Sequence, residues 1–279
     1  MILDTIMFVG YTNEVDILEF RLSEYYDIVD KFLIIEGTHT FQGDPKPLHF
    51  KEKYSKEERF KKYLNKIEMV TFQSLAKGEE DKIPQDFRPN YSDLISSWND
   101  HEQRRIITNI CYDWGLKNDD ILIIADCDEI YDKECLKQIF ESQLPSAGYV
   151  WLSSYYLNVW RTFPWSGAYV MNFDPNFDLD DTRHNREPPH INFPFGSQRI
   201  GWHFSWIGDI EWISTKIKSY AHNEYNDFAS EEHLKNHVKN LEWIFPDEPE
   251  DRRYFQVDDN PVPIFFKKDK FKHLFWSEK

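Results

Sequence analysis

The residues best placed to do chemistry are Asp126-Cys127-Asp128-Glu129, which directly follow the apolar run Ile121-Leu122-Ile123-Ile124-Ala125. Alternation along an extended chain puts Asp126 and Asp128 on the same side. Two converging carboxylates repel each other unless positive charge lies between them. A divalent cation that bridges them to phosphate oxygens satisfies both. A bare Asp-x-Asp is more often a solvated turn that caps the next helix. Its position after a buried strand is what makes this one a candidate.

Glu36 ends another apolar run. An acid there either accepts hydrogen bonds from a nucleoside or is an exposed loop residue. Arg104 and Arg105 stand on the helix before the acidic strand. Either could offer a fork of N–H donors to a diphosphate, or pair with acids on its own helix. His203 lies in Gly201-Trp202-His203-Phe204-Ser205-Trp206. It is either a core histidine on an aromatic strand or a neutral third ligand for a cation already held by two carboxylates. Asp209 and Glu211 enter the following helix, where a carboxylate serves as general base or as helix cap. His222 follows in Ser219-Tyr220-Ala221-His222. Trp151, Tyr155, Tyr156, Trp160 and Trp165 are core candidates, a few of which could stack on sugar rings. Asn90-Tyr91-Ser92 fits the glycosylation pattern. No Gly-rich phosphate loop, serine-nucleophile motif or paired-cysteine metal motif occurs.

Regular elements must hold these groups. Ile6 to Val9 reads as a strand ending at Gly10. Asn13 is a candidate cap for a helix carrying Val15, Leu18, Leu22 and Tyr25 at helical spacing. Val29 to Ile35 is a second strand, Ser55 to Leu64 a charged surface helix, and Ile67 to Phe72 a third strand. Ser92 to Trp114 is a long helix stopped by Gly115. Asp120 to Ala125 suits the centre of a parallel sheet, and Leu136, Ile139 and Phe140 mark the next helix. This β-α-β-α-β order predicts a doubly wound α/β fold with a mostly parallel central sheet flanked by helices. Ligands then sit beyond the carboxyl ends of the strands. After Glu129 the chain is aromatic and β-rich from Tyr149 to Val159 and loop-rich from Pro164 to Gly201. A short strand is predicted at Trp202 to Trp206, and helices at Asp209 to Lys218 and Ser230 to Trp243. One domain over 1–279 is expected.

Composition narrows the partners. Aromatic residues make up 17% of the chain, which excludes a disordered chain, and the formal charge of −16 with no dense basic cluster argues against a nucleic-acid partner. Cys111, Cys127 and Cys135 form no CxxC pair and read as buried small hydrophobes. No apolar run approaches the length of a membrane span, and no charged n-region with a long apolar stretch precedes the first strand, so no signal peptide is expected. A cytoplasmic or virus-encoded, host-cell intracellular location is the expectation.

Several segments taken in order resemble glycosyltransferase family 17. They are Asn13 to Leu22, Asp27 to Glu36, Pro45 to Leu48, Trp98 to Arg104, Asp126 to Ile130, and Gly201 to Trp206 with Glu211 and Lys216. The resemblance implies a GT-A-type, Rossmann-like fold with a nucleotide-sugar-binding half (1–130) and an acceptor-side half (131–279). It implies a UDP-sugar donor such as UDP-N-acetylglucosamine, a divalent metal (Mn2+ or Mg2+), a glycan or glycoprotein acceptor, and inversion at the anomeric carbon. Asp126 and Asp128 match the family's acidic pair, and Glu36 matches the acid after the second strand. Arg21, Arg104 and Glu211 fall on motif positions, and His203 ranks above His222 as metal ligand. Donor contacts are expected from Glu36, Arg21, Arg104, Arg105 and Asp126, and the base role from Glu211 or, second, Asp209. The rivals are a sugar nucleotidyltransferase and a non-catalytic glycan-binding protein on a degenerate transferase fold.

Overall fold

A computed structural model describes residues 1–10, 14–87, 93–179, 182, 185–246 and 255–277. The Asn13 cap, the Ser92 helix start and the Asn90-Tyr91-Ser92 pattern lie outside the described residues. The chain begins with β1 (Ile2–Phe8), α1 (Glu14–Tyr25) and β2 (Lys31–Gly37). The charged stretch after it is not one helix. It breaks into the short α2 (His49–Glu52), a 3-10 turn at Tyr54–Lys56 and α3 (Glu58–Lys61). Then come β3 (Ile67–Phe72), α4 (Leu94–Asp113), β4 (Ile121–Asp126), β5 (Glu129–Tyr131) and α5 (Lys133–Phe140). Asp93 starts α4 by accepting the Ser96 N–H at 2.8 Å, as a capping carboxylate does.

The central sheet has the order β3-β2-β1-β4-β9, where β9 is Tyr169–Asn172. The first four strands run parallel and β9 pairs antiparallel to β4. Alternation sends Leu122 and Ile124 to one core, with Ile107 and Cys111 of α4, and Ile123 and Ala125 to the other, with Leu18 and Leu22 of α1. Both faces are therefore covered, which is why β4 is an unbroken apolar run. The predicted α/β class and parallel centre are observed. The loop-rich reading of Pro164 to Gly201 missed β9, a four-residue edge strand too short to show a period.

A second sheet was not predicted. It joins β11 (Phe255–Val257), β7 (Val159–Arg161), β6 (Tyr149–Ser154), β10 (Arg199–Ser205) and β5, with β8 (Trp165–Ser166) on β6. Its strand β10 runs parallel to β6 and antiparallel to β5, with His203 opposite Glu129. That pairing needs Gly201, because a Cβ there would lie 2.3 Å from the Ile130 carbonyl oxygen. The helices α6 (Ile210–Ile217) and α7 (Glu231–Asn240) pack together beyond β10 around Ile213, Ile217, Leu234 and Val238.

Candidate active site

The acidic motif sits where the two sheets meet. β4 of the first sheet ends at Asp126 and β5 of the second begins at Glu129, so Cys127 and Asp128 form the turn between them. The strand register aligns Met7 of β1 with Asp126 and Phe8 with Glu36, so these acids share the carboxyl edge of the sheet. Cys127 is buried in the core, while Asp126 and Asp128 line a cleft of roughly 200 Å³. The same cleft is lined by Glu14, Asp100, His203, Trp206, Trp212, Lys216, Tyr220 and His222.

β10 delivers His203. The Phe204 N–H donates to the Asp128 carbonyl at 3.0 Å, and His203 Nε2 stands 3.5 Å from Asp128 Oδ1. His203 Nδ1 is buried with no hydrogen-bond partner among the described residues. Lys216 Nζ lies 3.4 Å from Asp128 Oδ2. Burial would push the Asp128 carboxyl up, but His203 and then Lys216 outweigh it and hold the group below its ordinary value. His222 also lines the cleft, but its Nδ1 pairs with Glu224 Oε1 at 2.8 Å.

Two carboxylates and an imidazole around one cleft suit a hard divalent cation in donor type. The buried, unspent His203 ring nitrogen points the same way. The side chains are not at ligand spacing as they stand: no group of three such residues among those described is close enough to hold a metal. Closure around a cation therefore needs side-chain movement.

Arg21 does not reach the cleft. It is fully buried and bonds to both Asp4 oxygens, and its Nη1 donates to the carbonyl oxygens of Asp126 at 2.7 Å and Glu129 at 3.1 Å. It grips the backbone of the acidic turn instead of a ligand. Arg104 meets the motif directly, through Nη2 to Asp126 Oδ1 at 2.6 Å, and is itself held by Asp100. Arg105 points elsewhere, to Glu102 at 2.9 Å and Asp178 at 3.6 Å.

Glu36 is buried and already engaged. It accepts from Lys46 Nζ at 3.1 Å, His49 N at 2.6 Å and Phe50 N at 3.0 Å, so it anchors the start of α2. Asp209 is the N-cap of α6 and accepts the Trp212 N–H at 2.8 Å. Glu211, in the first turn, is exposed, and its carboxylate has no hydrogen bond or ion pair among the described residues. Neither acid lines the cleft, although Trp212 and Lys216 of the same helix do. The Trp212 indole N–H is buried and without a partner among the described residues.

Glu14 was not singled out from the sequence. It opens α1, six residues past the end of β1 at Phe8, on the side of the sheet where a ligand-binding residue is expected. Its Oε2 accepts from Gly10 N at 2.6 Å and Val9 N at 3.2 Å. Burial pushes its carboxyl up to about 7, with Asp128 adding to the effect and Lys216 opposing it. The aromatic candidates Tyr155 and Trp160 are core residues. Trp165 donates to Glu129 Oε1 at 3.0 Å and packs beside His203, its ring centroid 5.2 Å away.

An open α/β sheet with paired acids at its carboxyl edge and an aromatic cleft above them has its ligand site where α/β enzymes carry one. The chain belongs to glycosyltransferase family 17, whose model matches residues 1–257. It is 23% identical over 269 aligned residues to the human β-1,4-mannosyl-glycoprotein 4-β-N-acetylglucosaminyltransferase, covering 84% of this chain and 46% of that protein. The Rattus norvegicus protein of the same name gives the same figures. The chain thus spans about half the length of the curated relatives it matches. Among solved structures it is similar to an active-site mutant of LgtC, with TM-score 0.34 and 9% identity over 67% of this chain and 63% of that one. It is also similar to the mannosyltransferase PcManGT from Pyrobaculum calidifontis in complex with GDP-Man and Mn2+, with TM-score 0.35 and 6% identity over 85% of this chain and 69% of that one. No helix among the described residues is long and apolar enough to cross a membrane.

Proposed function

We propose that this chain transfers a sugar, N-acetylglucosamine, from a UDP-sugar to a glycan hydroxyl by single displacement with inversion, with a divalent cation in the cleft. The observation that carries the reading is the convergence of Asp126 and Asp128 with His203 on one cleft, produced by β10 pairing to the strand that leaves the acidic turn. The choice of N-acetylglucosamine follows the activity named for the human relative.

Asp126, Asp128 and His203 would hold the cation. When bound, it neutralises charge on the leaving diphosphate. Arg104 keeps Asp126 oriented through its 2.6 Å contact. Trp206, Trp212 and Tyr220 offer aromatic faces to a sugar ring, and the Trp212 N–H is an unspent donor for a sugar or phosphate oxygen. Glu211 takes the proton of the attacking hydroxyl, since Asp209 is committed to the helix cap.

Calorimetric titration of UDP-N-acetylglucosamine, with and without Mn2+, into wild type and Asp128→Ala tests the reading. Donor binding should require both the metal and Asp128. Equal binding in all four combinations would refute it.

A further inference from the structure

Each acid of the pair already has a cationic partner inside the protein, and the two partners are unlike. Arg104 is 3% exposed and is fixed by bonds to Asp100 O at 2.9 Å and Oδ1 at 2.8 Å as well as to Asp126. Lys216 is 20% exposed, lines the cleft, and stands 3.4 Å from Asp128 Oδ2. That is longer than a strong charge-assisted hydrogen bond. Its Nζ otherwise lies over the rings of Trp206 and Trp212, 5.2 and 5.3 Å from their centroids. Lysine is a point charge on a flexible stem, so it can leave Asp128 without unpacking the helix that carries it.

We propose that Lys216 is a displaceable counter-ion. It holds Asp128 in the ligand-free cleft and passes to the diphosphate of a nucleotide when a divalent cation takes its place. The inference rests on the nucleotide-sugar reading above. Asp128 is 10% exposed, and a carboxylate that buried is costly to leave without a cation. A dication arriving alone must drive an ammonium away from the same carboxylate. A diphosphate arriving with it gives the ammonium a new anionic partner inside the cleft. Cation and nucleotide must then bind with positive coupling, equal in both directions.

Mn2+ titration followed by electron paramagnetic resonance, with and without UDP, tests this in wild type, Lys216→Met and Lys216→Arg. Methionine retains an unbranched side chain against the two tryptophans and removes the charge. Wild type should bind Mn2+ about tenfold or more tightly when UDP is present. Lys216→Met should bind Mn2+ alone several-fold more tightly than wild type and keep only the smaller UDP gain that the diphosphate's own contact with the cation supplies. Lys216→Arg should recover part of the gain. Thermal unfolding identifies any variant that fails to fold, and Lys216→Gln then replaces it. The exchange is overturned if the folded methionine variant binds Mn2+ no more tightly than wild type, or keeps the full UDP gain. If neither wild type nor variant binds Mn2+ with or without UDP, the nucleotide-sugar reading itself falls, and the exchange with it.

Discussion

Asp4 and Arg21 form a fully buried two-point ion pair, Nε to Oδ2 at 2.9 Å and Nη2 to Oδ1 at 2.5 Å. The remaining Arg21 nitrogen, Nη1, bonds to the backbone on both sides of the acidic turn. One side chain therefore links the start of the central sheet to the start of the second. Arg21→Met leaves Asp4 charged and unpaired in the core and should cost about 3–5 kcal/mol of stability. Urea denaturation measures this. A loss within 0.5 kcal/mol would show that the clamp is dispensable.

The pH dependence of stability should reveal Glu14. Its carboxyl is raised from an ordinary 4.5 to about 7 by burial, so the folded state binds the extra proton between those values. That contribution is whole below 4.5 and is lost as the pH rises through 7. Glu14→Gln keeps an acceptor for Val9 and Gly10 and cannot ionise. It should gain up to about 3 kcal/mol over wild type at pH 8 and little at pH 4. Melting temperatures across that range check it, and parallel profiles would contradict it.

Gly201→Ala should disturb the junction of the sheets. The new methyl would meet the Ile130 carbonyl oxygen at 2.3 Å and the Tyr131 Cα at 2.6 Å. Both are backbone atoms, so β10 must move away from β5. A cost of about 1–3 kcal/mol is expected, together with weaker Mn2+ binding, because His203 lies two residues along the strand. Mn2+ affinity equal to wild type would show that the pairing does not position His203.

The two acids at the start of α6 should separate by experiment. Glu211→Gln should bind donor normally and lose about 10²–10⁴-fold in turnover. Asp209→Ala should lose about 1 kcal/mol of stability through the missing cap. Normal turnover in Glu211→Gln would take the base role from that residue.

Much of the architecture up to β5 was legible because it is local. The apolar run of β4, the spacing of α1 and the acids at strand ends follow from neighbours along the chain and from the parallel rule. Ser230 caps α7 as its type suggests, accepting the His233 N–H at 3.4 Å. Glu14 could have been found by the same rule that singled out Glu36. It was hidden because an acid in the first turn of a helix is ordinary.

What the sequence determined by itself was the class of fold, the acidic pair on the carboxyl edge of the central strand, and the likeness to family 17. Those rest on periodicity and on short ordered motifs. Only the tertiary structure decided which charges meet. Arg21 and Arg104 look alike in sequence, yet one holds backbone beneath the turn and the other holds Asp126 within it. Glu36 ends the apolar run of β2 and Glu14 opens the helix after β1, yet the first is bound up by α2 and the second faces the cleft. The physical reason is that a side chain's role depends on what long-range strand pairing places within a few ångströms. Here that pairing brings β10, with residues 199–205, against β5, with residues 129–131.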